Sequence, residues 1–134
     1  MTTNTAGNVG QEYISNQVHY LLKKITFADN GTTVTVGTLP PYAAVLRGGV
    51  VVTEAFNGDS SNVLDIGVTG NTDDFATDIA LGTVGVIAAD DMATATSAYS
   101  ASSRDVVAPV VSTASATTGI GYVWVEYIIN RLGT

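Results

Sequence analysis

The chain has no cysteine, which removes disulfide staples and thiolate metal sites together. Basic residues are scarce: Lys and Arg total 5 against 12 Asp and Glu, a net charge of -7. The five (Lys23, Lys24, Arg47, Arg104 and Arg131) are scattered, whereas a surface that tracks phosphates needs clustered cations. Direct nucleic-acid binding is therefore not expected. Charged residues make up only 13% of the chain, about half the usual share. So weakly charged a surface suits a subunit covered by neighbours. No apolar run approaches the roughly 20 residues that span a bilayer, and the opening MTTNTAGNVGQEY has neither a basic nor an apolar cluster. Neither a membrane anchor nor an export signal is expected.

Catalytic groups are equally sparse. His19 is the single histidine, and it sits in a strand-like run with no G-x-S-x-G nearby, so it reads as a surface strand residue rather than a general base. No phosphate-binding glycine loop occurs, and Gly119-Ile120-Gly121 lacks the third glycine and the helix of a dinucleotide site. Asp59, Asp65, Asp73, Asp74, Asp78, Asp90 and Asp91 offer oxygens, but no spacing among them matches a calcium loop, and Asp commonly forms turns. The residues predict no enzyme activity, no metal and no cofactor.

What is present is 46% apolar residues, written as short runs of Val, Ile, Thr and aromatics between clusters of Gly, Asn, Asp and Pro. Residues 1–16 show no periodicity and read as a flexible N-terminal arm, with Val9, Tyr13 and Ile14 apolar enough to dock on a neighbour. Residues 17–134 read as one β-sandwich domain, since nothing divides them. The run 18–27 and the run 33–36 flank Asp29-Asn30-Gly31, which predicts a hairpin. Residues 43–56 form one long β segment, bulged or bent at Gly48-Gly49. A strand over 62–66 is followed by a polar loop over 67–74, with one helical turn available around 73–79, and then by strands over 75–81 and 82–88.

Residues 92–102 alternate small apolar and hydroxyl residues and predict a closely packed strand; 106–111 predicts another, near an edge because of Pro109. The last run, 121–129, is the most apolar in the chain and predicts a central strand filled on both faces, with Trp124 and Tyr127 in the core. Eight or so strands without crossover helices give an all-β fold, a jelly-roll-like β-sandwich ahead of an immunoglobulin-like one.

The runs Val50-Val51-Val52-Thr53-Glu54-Ala55-Phe56-Asn57, Asn62-Val63-Leu64-Asp65-Ile66-Gly67, Asp73-Asp74-Phe75 and Gly121-Tyr122-Val123-Trp124-Val125-Glu126-Tyr127, taken in order, resemble the small capsid decoration, or cement, proteins of tailed bacteriophages. The likeness spans about residues 43–130. It implies a jelly-roll-like domain that forms homotrimers, binds the major capsid protein on the outside of the head, and is assembled in the host cytoplasm. Under that reading Tyr13 and Ile14 face a neighbouring subunit, and Tyr42 and Leu46 lie near the trimer axis. The alternative is a sandwich on a head fibre or tail whose loops, 57–61, 67–74 and 89–91, bind a host-surface glycan.

Overall fold

A computed structural model describes residues 18–112 and 115–129. The expected arm, with Tyr13 and Ile14, lies outside the described residues. Eight strands run in order: β1 (His19–Thr26), β2 (Thr33–Leu39), β3 (Ala43–Glu54), β4 (Asn62–Val68), β5 (Asn71–Ala80), β6 (Gly85–Ala88), β7 (Arg104–Ser112) and β8 (Ile120–Ile129). They form two four-stranded sheets, ordered β1-β8-β3-β6 and β2-β7-β4-β5, with every pairing antiparallel. Every connection but the β4–β5 hairpin crosses from one sheet to the other. Two sheets of four wound in this way are a jelly roll.

The inward faces make one core. Ile25, Val45, Val50, Val52, Val123 and Val125 from the first sheet meet Val36, Leu39, Leu64, Ile66, Phe75 and Val110 from the second, all buried. Each such side chain contributes roughly 1.5–3 kcal/mol by leaving water, which is how a chain with few charges and no disulfide holds together.

The expected hairpin between the first two strands does not form, and the backbone shows why. After a short 3-10 turn (Phe27–Asp29), Asn30 adopts φ -52°, ψ 133° and Gly31 φ 75°, with the Thr32 N–H bonded to the Asp29 carbonyl at 3.0 Å. This is a type II turn, whose twist splays the flanking strands where types I′ and II′ would join them. The Asp29 carboxylate also accepts the Thr26 N–H at 2.9 Å. The chain therefore crosses to the opposite sheet, and β1 pairs with β8 while β2 pairs with β7.

The true hairpin lies where a polar loop was expected. β4 and β5 are joined by Thr69 and Gly70 alone, and residues 71–74 are strand. The helical turn around 73–79 is instead a bulge in β5, where Thr77 and Asp78 stand against Asp65 alone and Asp78 has φ 55°. The Asp65 carboxylate accepts the Asp78 N–H at 2.8 Å, which holds a non-glycine residue in the left-handed region.

β3 is one continuous strand, as expected, but its bulges fall between Val45 and Arg47 and between Val52 and Glu54, not at Gly48-Gly49. β7 is interior rather than an edge, and Pro109 is accommodated by interruption. The β4–β7 ladder runs through Leu64 and Val110, then resumes at Gly67 and Val107, skipping the positions opposite Pro109 and Ala108. Residues 92–102 form no strand; they cross the end of the sandwich as turns, with a single bridge from Tyr99 to Ala44.

Candidate interaction surface

Register decides what the outer face of the β1-β8-β3-β6 sheet carries. Lys24, Tyr122, Val51 and Val86 form one cross-strand row, and Leu22, Trp124, Gly49 and Ala88 the next. Tyr20, Glu126 and Arg47 form a third, with Val18 at the rim. β1 and β8 alternate apolar residues on both faces, so packing one set into the core leaves the other outside.

Outward side chains line an open groove of about 610 Å³ whose walls are Val18, Tyr20, Leu22, Val51, Val86 and Trp124. Val86 is 70% exposed, Tyr20 67%, Val18 57% and Leu22 53%. Gly49, beside Trp124 in its row, is buried against β6, where a Cβ would collide with the Ile87 carbonyl oxygen. Trp124 is half-buried in this groove rather than in the core, a correction to its expected place; Tyr127 does pack against the core, with its ring 5.6 Å from that of His19. The outer face of β8 is thus not filled as expected. A contiguous apolar patch of this kind marks an interaction surface.

The groove's charged side chains are Arg47 and Glu126, paired at 2.6 Å. Arg47 is mostly exposed, so the pair contributes less than about 1 kcal/mol to stability. Its larger effect is to neutralise both charges inside an apolar surface. The groove offers apolar area and shape.

The acidic residues have other work. Asp74 accepts the Ser97 N–H at 2.6 Å and the Thr96 N–H at 3.2 Å, tying residues 92–102 to β5. Burial pulls the Asp74 carboxyl upward, but these hydrogen bonds outweigh it and hold it below the usual carboxylate range. Asp91 accepts the Thr77 hydroxyl at 2.9 Å, and Asn57 accepts the N–H groups of Thr117 and Thr118 at 2.7 and 3.0 Å. Among the described residues no three acids or histidines gather as metal ligands.

Arg104 fastens the same segment from the other side. Its guanidinium donates to the carbonyls of Ser97, Ala98 and Ala43 at 3.0, 2.9 and 3.0 Å, with no carboxylate partner among the described residues, and desolvation lowers its pKa below the ordinary guanidinium value.

Two expected contact residues, Tyr42 and Leu46, stand four positions apart around the start of β3. Tyr42 is half-buried with φ 67°, at the third position of a turn closed by the Ala43 N–H on the Pro40 carbonyl at 3.2 Å. Leu46 is the unpaired residue of the bulge beside Arg47, and 47% exposed. The groove itself was not anticipated; its signal was the apolar outward set Tyr20 and Leu22, which the register places beside Trp124.

No protein-family model matches the chain, and no curated protein sequence matches it. Solved structures do. A chain in the capsid of Ralstonia phage GP4 is 17% identical, with a TM-score of 0.67 over 86% of each chain. One in the capsid asymmetric unit of cyanophage Pam1 is 19% identical, with a TM-score of 0.61 over 84% of this chain and 85% of that one. One in the acid-stable capsid of Helicobacter pylori bacteriophage KHP30 is 19% identical, with a TM-score of 0.53 over 83% and 86%. The jelly roll described here is thus the fold of chains from three phage capsids, matched over 83–86% of their length and of its own.

Proposed function

We propose that this chain is a structural subunit of a bacteriophage head, a decoration or cement protein that acts by binding the outside of the shell. The observation that carries this reading is the match, over nearly the whole of both chains, with jelly rolls from three phage capsids. The outer sheet face supports it, because a protein whose function is to cover and be covered needs apolar surface more than reactive groups. The partners are the major capsid protein and further copies of the chain, as a homotrimer. A trimer joins weak contacts at high effective concentration, so each subunit docks loosely while the assembly holds tightly. Tyr42, just before β3, and Leu46, at the bulge within it, are the residues assigned to the trimer axis. The glycan-binding alternative calls for loop groups free to meet a sugar, whereas Asn57, Asp74 and Asp91 are engaged within the fold.

The test is sedimentation with phage heads assembled without this protein. The expected result is saturable co-pelleting with assembled shells and none with free capsid subunits, together with a trimer mass by light scattering. A protein that stays monomeric and remains in the supernatant at micromolar concentration overturns the reading.

A further inference from the structure

We propose that the outer groove receives residues 9–14 of a second copy of this chain, so that subunits are tied together by exchanged N-terminal segments. This goes beyond docking on a capsid and does not depend on it, because both halves of the contact belong to the same sequence.

The first argument is where the chain leads. Val18, the first described residue, stands on the rim of the groove, and 17 residues precede it. Extended, they reach roughly 56 Å, enough to cross to an adjoining sandwich. The second is composition. Val9, Tyr13 and Ile14 are bulky and apolar, and Glu12 is the only charged side chain in residues 1–17. The groove matches this, being apolar with its two charges paired. In an extended segment Val9 and Tyr13 fall on the same side, which suits insertion into a surface groove. The third is the edge. β1 ends its sheet, so an incoming extended segment meets main-chain groups along that edge and the apolar side chains of Tyr20 and Leu22 next to it.

Direction selects a second copy over the same chain. Val18, Tyr20 and Leu22 line the groove in order up to and along β1, so a chain continuing that strand backward past Val18 would run away from Leu22. Filling its own groove would demand a reversal within Ser15, Asn16 and Gln17, where only Asn16 is suited to the positive φ of a tight turn. A neighbour's segment enters without reversing.

Trp124, the chain's single tryptophan, lies in the groove and reports its occupancy by emission wavelength. The experiment uses three full-length proteins: wild type, the segment variant Val9→Asp/Tyr13→Asp, and the groove variant Val86→Asp, which changes an exposed side chain. Light scattering and tryptophan emission are read on each, with circular dichroism confirming the fold. Wild type is expected to have an oligomer mass, and each variant to fall to monomer mass with emission shifted to the red. An equimolar mixture of the two variants restores one contact, since one supplies the segment and the other the groove; dimer mass and part of the blue shift should return.

A monomeric wild type overturns the proposal, as does a segment variant that keeps the wild-type mass. A red-shifted segment variant whose mixture with the groove variant stays monomeric also overturns it, and places the segment on its own chain. No capsid is present in any of these measurements, so failure to bind heads leaves their outcome unchanged.

Discussion

At the scale of single residues, two backbone positions carry the clearest consequences. Gly119 has φ 148°, and a Cβ there would come within 2.5 Å of the Phe56 ring, which is buried. Gly119→Ala therefore combines backbone strain with overpacking, and urea unfolding should show a loss of about 2–4 kcal/mol. Tyr42 is the opposite case, a bulky residue held at φ 67° where a type II turn favours glycine. Tyr42→Gly trades lost packing against relieved strain of about 1 kcal/mol, so stability should stay within about 1 kcal/mol of wild type. If Tyr42 is a trimer contact, the same variant dissociates at higher concentration than wild type, as light scattering over a dilution series would record. A large stability loss with unchanged association would reverse both assignments. The asymmetry was not legible beforehand: Gly119 read as half of a failed nucleotide motif, and its purpose lies in a ring 63 residues away in sequence.

At the scale of elements, the segment between β6 and β7 is held by side chains as well as by main-chain bonds, the Val45 and Tyr42 N–H groups donating to the Ala98 and Ser100 carbonyls at 2.7 and 2.9 Å. Arg104 grips three carbonyls, and Asp74 grips two N–H groups from β5. Arg104→Lys keeps the charge but replaces a planar fork with one ammonium, and amide exchange across residues 95–100 should rise several-fold. The Asp74 carboxyl titrates below its unfolded value, so its stabilisation is present above the ordinary carboxylate pKa of 3.8 and is lost as pH falls through the lowered value. Faster exchange or shifted amide resonances at Thr96 and Ser97 should therefore appear only below about pH 4, and be absent from that titration in Asp74→Asn.

The strands show what a one-dimensional pattern carries. β8 was legible as a central strand because its apolar density has no other reading, and β3 as one long strand because β-branched residues continue through its glycines. Strand partners were less legible. Asn30-Gly31 has the composition of a hairpin and the geometry of a sheet crossing, while Thr69-Gly70, inside a stretch too polar to attract notice, makes the hairpin. The groove stayed hidden for a related reason: alternation shows that β1 and β8 have two apolar faces, and only the fold shows that no described residue covers one of them.

At the scale of the whole molecule, the inside of the sandwich explains its stability, and one outer face is the surface proposed for its associations. The Arg47–Glu126 pair is largely open to solvent, so screening it with salt should change stability little. Glu126→Gln should cost less than about 1 kcal/mol by thermal melting while leaving Arg47 uncompensated in the groove, and any subunit association there should weaken.

The place of β8 has a consequence for how each copy comes into being. Among the described residues it is the last strand in chain order, yet it lies between β1 and β3 and supplies the partner for the whole of the first. Until it leaves the ribosome, β1 has no ladder, and the sheet it belongs to consists of β3 with the four residues of β6. That sheet thus waits on translation of β8, and a nascent chain halted before Ile120 would hold its apolar strands open to chaperones rather than to each other.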